Sequence, residues 1–140
     1  MSFALAVRTC FKKYFDFSGR ASRPEYWWFL LGFILALAAS LFVAAELAAA
    51  LGTQEAESGI AFALLPLAVL LGLLLPQLAV TVRRLHDTGR SGAWYFISFL
   101  PLVGAVILLI LLAQEGGREL NRYGPPQGSS SDGAQRLPAA

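Results

Sequence analysis

The sequence predicts an all-α integral membrane protein with three transmembrane helices, preceded by a short amphipathic interfacial helix and followed by a disordered C-terminal tail. Three observations predict it. Trp27 to Leu51, Ile60 to Val82 and Trp94 to Ala113 are apolar runs of about 20 residues or more. A helix rising about 1.5 Å per residue needs about that length to cross a hydrocarbon core of roughly 30 Å. Apolar residues make up 56% of the chain and charged ones only 14%, too little polar surface for a soluble domain of 140 residues to cover itself. Finally, the cations lie outside the runs. Arg8, Lys12, Lys13, Arg20 and Arg23 precede the first, Arg83, Arg84 and Arg90 separate the second from the third, and the loop between the first two carries Glu55 and Glu57 but no Lys or Arg.

Residues 1–123 form one membrane domain, with the interfacial helix at about 3–17 and spans at about 23–51, 60–84 and 92–113. In the first of these segments Phe3, Val7, Cys10, Phe11, Tyr14 and Phe17 recur at helical spacing, opposite Arg8, Thr9, Lys12, Lys13 and Asp16. Such a helix suits a headgroup layer, rings buried and cations near anionic lipid, or it caps the bundle. Cys10 lacks a partner for an intramolecular disulfide and reads as a small buried apolar residue. The charges interleaved with aromatics in this segment do not resemble a cleavable signal peptide, so the first span is expected to be an uncleaved anchor.

The first span opens on a capping box, Ser22-Arg23-Pro24-Glu25, with Tyr26, Trp27 and Trp28 at the depth where water gives way to hydrocarbon. Gly32, Ala36, Ser40, Ala44 and Ala48 then form a row of small residues at four-residue spacing, a helix-packing seam. Glu46 lies near its far end. The second span carries Pro66 and Pro76, each of which frees a backbone carbonyl that must find another donor. A kink is expected near Pro76, and Pro101 with Gly104 predicts a bend in the third span.

The positive-inside rule places the N-terminus and the Arg83 to Arg90 connection in the cytoplasm. If the third run crosses, the tail with Arg118 and Arg122 lies outside; if that run is re-entrant, the tail returns. From Gly124 to residue 140 the chain is rich in Pro, Gly and Ser, which predicts disorder.

The most chemical stretch is Arg83-Arg84-Leu85-His86-Asp87-Thr88-Gly89-Arg90-Ser91-Gly92. Together with Arg20 and Arg23 it gathers guanidinium groups at one membrane surface, where they fit phosphate. Arg20, Arg23, Arg83, Arg84, His86, Asp87 and Arg90 are therefore candidate lipid- or partner-binding residues. The competing reading is an internal salt-bridge network with Asp16, Glu25 and Asp87. The residues carry no catalytic constellation, nucleotide loop or metal-ligand cluster, and His86 beside Asp87 lacks a nucleophile and reads as a surface turn. No cofactor and no nucleic-acid partner are expected.

Three stretches carry a resemblance: Phe11-x-x-Tyr14-Phe15-x-Phe17-Ser18-Gly19-Arg20-Ala21-Ser22-Arg23-Pro24-Glu25-Tyr26-Trp27-Trp28, the Arg83 to Gly92 stretch, and Asn121-Arg122-Tyr123-Gly124-Pro125. In this order they resemble the signatures of domain-of-unknown-function family 805, the YhaH-like small bacterial membrane proteins. Ala93 departs mildly, standing where such proteins often carry an aromatic residue. The resemblance implies a multi-pass bundle in the bacterial cytoplasmic membrane and no activity. The functional expectation is a self-associating or subunit-like bundle presenting a basic cytoplasmic face to anionic lipid headgroups or a membrane-protein partner. The alternative is an oligomeric transporter or channel for a small solute, with Glu46 and the proline-bearing span on its path.

Overall fold

The structure is a computed structural model that describes residues 1–50 and 56–126, the side chains of 56–61 excepted. Gln54 and Glu55 of the acidic loop, and the tail beyond residue 126, lie outside the described residues. Among the described residues the regular elements are all helices: α1 Phe3–Lys12, α2 Arg23–Ala50, α3 Ala56–Asp87, a 3-10 helix Gly92–Phe99, and α4 Val103–Ala113. α2 and α3 are long and apolar enough to cross a membrane, whereas α4 is apolar but short.

α1 starts where the Ser2 hydroxyl accepts the Leu5 amide at 3.4 Å, and it buries Ala6 and Cys10 completely. It ends five residues before the expected boundary at 17. The Asp16 carboxylate accepts the Ser18 amide at 2.9 Å and the Ser18 hydroxyl as well, a local turn that competes with the helix. These bonds hold the Asp16 carboxyl below its usual range. Gly19, at φ +76°, then swings the chain toward α2.

Ser22 caps α2 as its position predicts, its hydroxyl accepting the Glu25 amide at 3.4 Å. Along the small-residue row, Ser40 and Ala44 are buried, and Gly32 lies so close to α1 that a Cβ there would sit 3.3 Å from the Phe3 ring. α3 stays helical through Pro66 and Pro76. Pro76 has no amide to offer the Gly72 carbonyl one turn back, and the Tyr14 hydroxyl donates to that carbonyl instead. The proline-freed acceptor thus becomes the anchor of the segment after α1.

The third apolar run differs from the single span expected at 92–113. It is the 3-10 helix and α4, joined at Leu100 to Leu102 and folded against each other. Pro101 forces Leu100 into an extended conformation, φ −77° and ψ 115°. Leu102 takes φ 62° and ψ −62° while the Val103 amide bonds to the Pro101 carbonyl at 2.7 Å, a γ-turn of the rare positive-φ kind. Gly104 then permits the return, since a Cβ there would overlap the Ile97 carbonyl oxygen. At about 2.0 and 1.5 Å per residue, the 8-residue 3-10 leg and the 11-residue α4 leg are each about 16 Å long, half of a hydrocarbon core.

Both ends of this hairpin lie at the arginine end of the bundle. A Cβ on Gly92 would sit 2.8 Å from Val82, and the carbonyls of Leu112 and Gln114 bond to Arg84. The buried core gathers at the same end, with Cys10, Ala21, Tyr26, Phe29, Val80 and Leu85 meeting Leu108, Leu111 and Leu112. Gly124, where composition predicts disorder to start, instead pairs its backbone with Asn121.

Candidate functional site

The arginine-rich stretches meet in one cap, and burial sorts their side chains into two kinds. Arg83 and Glu25 form an ion pair at 3.0 Å with both side chains fully buried, one at the end of α3 and the other in the first turn of α2. The Cys10 thiol of α1 lies 3.9 Å from the same Glu25 oxygen. Burial first, and the Glu25 charge second, push that thiol up to about 12, so it stays protonated and unreactive. The main chain adds a tie, the Ala21 amide to the Arg83 carbonyl at 3.0 Å.

Asp87 is the second centre. Arg20 donates to it from Nε at 2.7 Å, and Arg84 donates from Nη1 to its other carboxylate oxygen. Arg20 also donates to the carbonyls of Glu119 at 2.8 Å, Gly124 at 3.3 Å, Asp87 at 3.3 Å and Gly117. A guanidinium has five N–H groups, and these contacts give it five acceptors. Arg84 reaches the carbonyls of Leu112 at 3.0 Å, Ala21 at 3.5 Å and Gln114. Two arginines therefore bind the turn before α2, the end of α3 and the segment leaving α4 around a single carboxylate. A charge buried in this way is retained only with such saturation, because desolvation costs several kcal/mol per ion.

Gly116 and Gly117 admit the returning chain. A Cβ at Gly116 would overlap the Asp87 carboxylate, and the Gly117 amide bonds to the Asp87 carbonyl at 2.9 Å. Beyond them Asn121 donates to the His86 carbonyl at 2.9 Å, and the Tyr123 ring stacks on His86 at 3.7 Å between centroids and 4° between planes. His86 Nδ1 lies 3.2 Å from the Gly19 carbonyl, a bond it makes when the proton is on that nitrogen. Arg122 lies over the Tyr123 ring at 4.8 Å.

The family described as "Protein of unknown function (DUF805)" matches residues 14–125, which take in all three motif stretches from Tyr14 onward. The chain belongs to the DUF805 family. Among curated relatives, the inner membrane protein YhaI of Escherichia coli K12 is 40% identical over 113 residues, covering 81% of this chain and 86% of YhaI. The inner membrane protein YhaH of the same strain is 40% identical over 117 residues, covering 81% and 88%. The uncharacterized protein YiiR is 43% identical over 86 residues, covering 59% and 49%. No solved structure matches. Among its described residues the DUF805 chain is thus all-helical, with two helices able to span and a third, shorter apolar one, and its relatives are inner membrane proteins.

Of the candidate binding residues, the DUF805 cap buries Arg20, Arg83, Arg84 and Asp87. His86, Arg23 and Arg90 stay partly accessible at the rim, and Arg23 donates to the Gln114 carbonyl at 3.0 Å. Arg23 and the exposed Arg118 flank an open cleft over the first turn of α2, which Glu115 also lines. Glu46 is exposed on α2, far along the helix from the cap. Among the described residues, His, Cys, Asp and Glu form no group of three or more able to hold a metal. Sequence reasoning missed Gly116, Gly117 and the carbonyls of Leu112 and Gln114 as members of the site. Their nearest signal is the Asn121 to Pro125 motif, which marks the following segment as more than tail.

Proposed function

We propose that this chain is a multi-pass inner-membrane bundle in which α2 and α3 cross, α1 lies in the cytoplasmic headgroup layer, and the third apolar run dips halfway in and returns. In this reading the N-terminus, the cap and the segment after α4 all face the cytoplasm. That orientation keeps Arg118 and Arg122 with the other cations, as the positive-inside rule prefers. The activity proposed is retention of anionic phospholipid headgroups at the cap, through Arg23 and Arg118 rather than through the buried arginines. It has no catalytic step.

The observation that carries this reading is the division of the cations: Arg20, Arg83 and Arg84 are enclosed and paired, while Arg23 and Arg118 flank an open cleft at the N-terminal turn of a 28-residue helix. Helix N-termini attract anions, and each cation at a membrane surface adds about 1 kcal/mol toward anionic lipid.

The test is native mass spectrometry of protein exchanged into phosphatidylglycerol or phosphatidylcholine, comparing wild type with Arg23→Ala plus Arg118→Ala. The wild type is expected to keep phosphatidylglycerol preferentially and the double variant to lose that preference, with helix content unchanged. Equal retention of both lipids by the wild type overturns the reading. Arg83→Ala with Arg84→Ala is unsuited to the question, because it removes the residues that hold the cap together.

A further inference from the structure

Farther along α2 from the cap cleft, α1 roofs an apolar groove of about 190 Å³. Val7 and Phe11 of α1, Phe29, Phe33 and Ala36 of α2, and Leu73 of α3 line it. Along α2 it runs from Phe29 to Ala36, about 10 Å at about 1.5 Å per residue. Gly32 lets α1 come close enough to form the roof, and the Phe3 ring, edge-on to Trp28 at 6.0 Å, also lines the groove. Water has no partner in such a lining, and the volume exceeds the about 150 Å³ that admits a benzene-sized apolar guest.

The polar surroundings indicate which guest. Arg8 and Lys12 are exposed on α1, each one residue after a groove-lining side chain, and so about 100° round the helix from Val7 and Phe11. The groove is thus an apolar slot roofed by a helix that carries exposed cations on the face next to its groove-lining side chains. That combination is complementary to a molecule with a hydrocarbon chain and an anionic head.

We propose that this groove takes one acyl chain of an anionic glycerophospholipid, with its phosphate against Arg8 and Lys12 of α1. The site shares no residue with the Arg23 and Arg118 cleft and stands whether or not that cleft binds lipid. A bound chain here fills the space between α1 and the two long helices, so the lipid acts as a structural wedge under the roof.

The test uses protein reconstituted in phosphatidylethanolamine and phosphatidylglycerol vesicles containing a trace of phosphatidylglycerol with a diazirine midway along one chain. Photolysis is expected to concentrate label on peptides containing Val7, Phe11, Phe33 and Ala36. Ala36→Phe, which fills the slot, is expected to lower that labelling at least tenfold while labelling of the outward leucines of α3 is unchanged; Ala36→Leu, a smaller intrusion, is expected to give a partial loss. Arg8→Gln with Lys12→Gln is expected to remove the preference for phosphatidylglycerol over an equivalent phosphatidylcholine probe. Label spread over the exposed leucines of α2 and α3 and indifferent to both Ala36 substitutions overturns the proposal. So does a photoproduct joining α1 of one copy to the groove of another, which would make a second copy the occupant.

Discussion

Replacing Tyr14 by Phe removes one oxygen atom and tests how the segment after α1 is fastened to α3. The Tyr14 hydroxyl donates to the Gly72 carbonyl, which Pro76 leaves without its helical amide. Hydrogen bonds between membrane helices average about 0.6 kcal/mol, because the unpacked state finds substitute partners. Gly72 has none of its own, since the proline is present in the unpacked helix too, so the upper part of the measured range applies, about 1.5 kcal/mol or roughly tenfold in the folding equilibrium. In a Pro76→Ala background the alanine amide can take over the carbonyl, and Tyr14→Phe should then cost only about 0.5 kcal/mol. The coupling is therefore about 1 kcal/mol, within reach of a double-mutant cycle. Unfolding in mixed micelles with increasing dodecyl sulfate, followed by helical circular dichroism, measures all four proteins. An equal cost of Tyr14→Phe in both backgrounds would refute the reasoning, since the hydroxyl would then owe its effect to something other than the proline.

Three further outcomes follow from the cap. Glu25→Ala should destabilise the fold by about 3–5 kcal/mol by stranding the buried Arg83 charge, and Glu25→Leu with Arg83→Met should recover most of that in the same unfolding assay. Gly116→Ala places a methyl group on the Asp87 carboxylate, so hydrogen exchange at residues 117–124 should quicken while α2 and α3 keep their protection. Cys10 holds its proton up to about pH 12 in the folded chain against an ordinary value of 9.0, so its contribution to stability is complete below pH 9 and is lost as pH rises from there to about 12. Maleimide at pH 8 should accordingly leave the folded protein unlabelled and modify it promptly once dodecyl sulfate unfolds it.

The long helices were legible because hydropathy over about 20 residues is a strong signal, and Ser22 was legible as a cap because its role is local. The end of α1 was missed because aromatics continue at helical spacing to Phe17 while Asp16 and Ser18 form a turn of their own. The third run misled because mean hydropathy cannot tell one long helix from two short ones: the decisive features are Pro101, the positive φ of Leu102 and the contact of Gly104 with Ile97. In the site, the arginine cluster was visible but its burial was not. Burial depends on acceptors such as the Gly117 and Glu119 carbonyls, about a hundred residues from Arg20 in sequence and supplied only when the third run doubles back.

That doubling back also gives the molecule a shape. With the topology proposed here, and among the described residues, the cytoplasmic leaflet holds α1, α4 and the 3-10 helix in addition to α2 and α3, whereas the opposite leaflet holds the two long helices alone. The protein then displaces more lipid area on one side of the bilayer than on the other. A rigid inclusion of that kind is a cone, and a population of them at sufficient density bends the membrane around them.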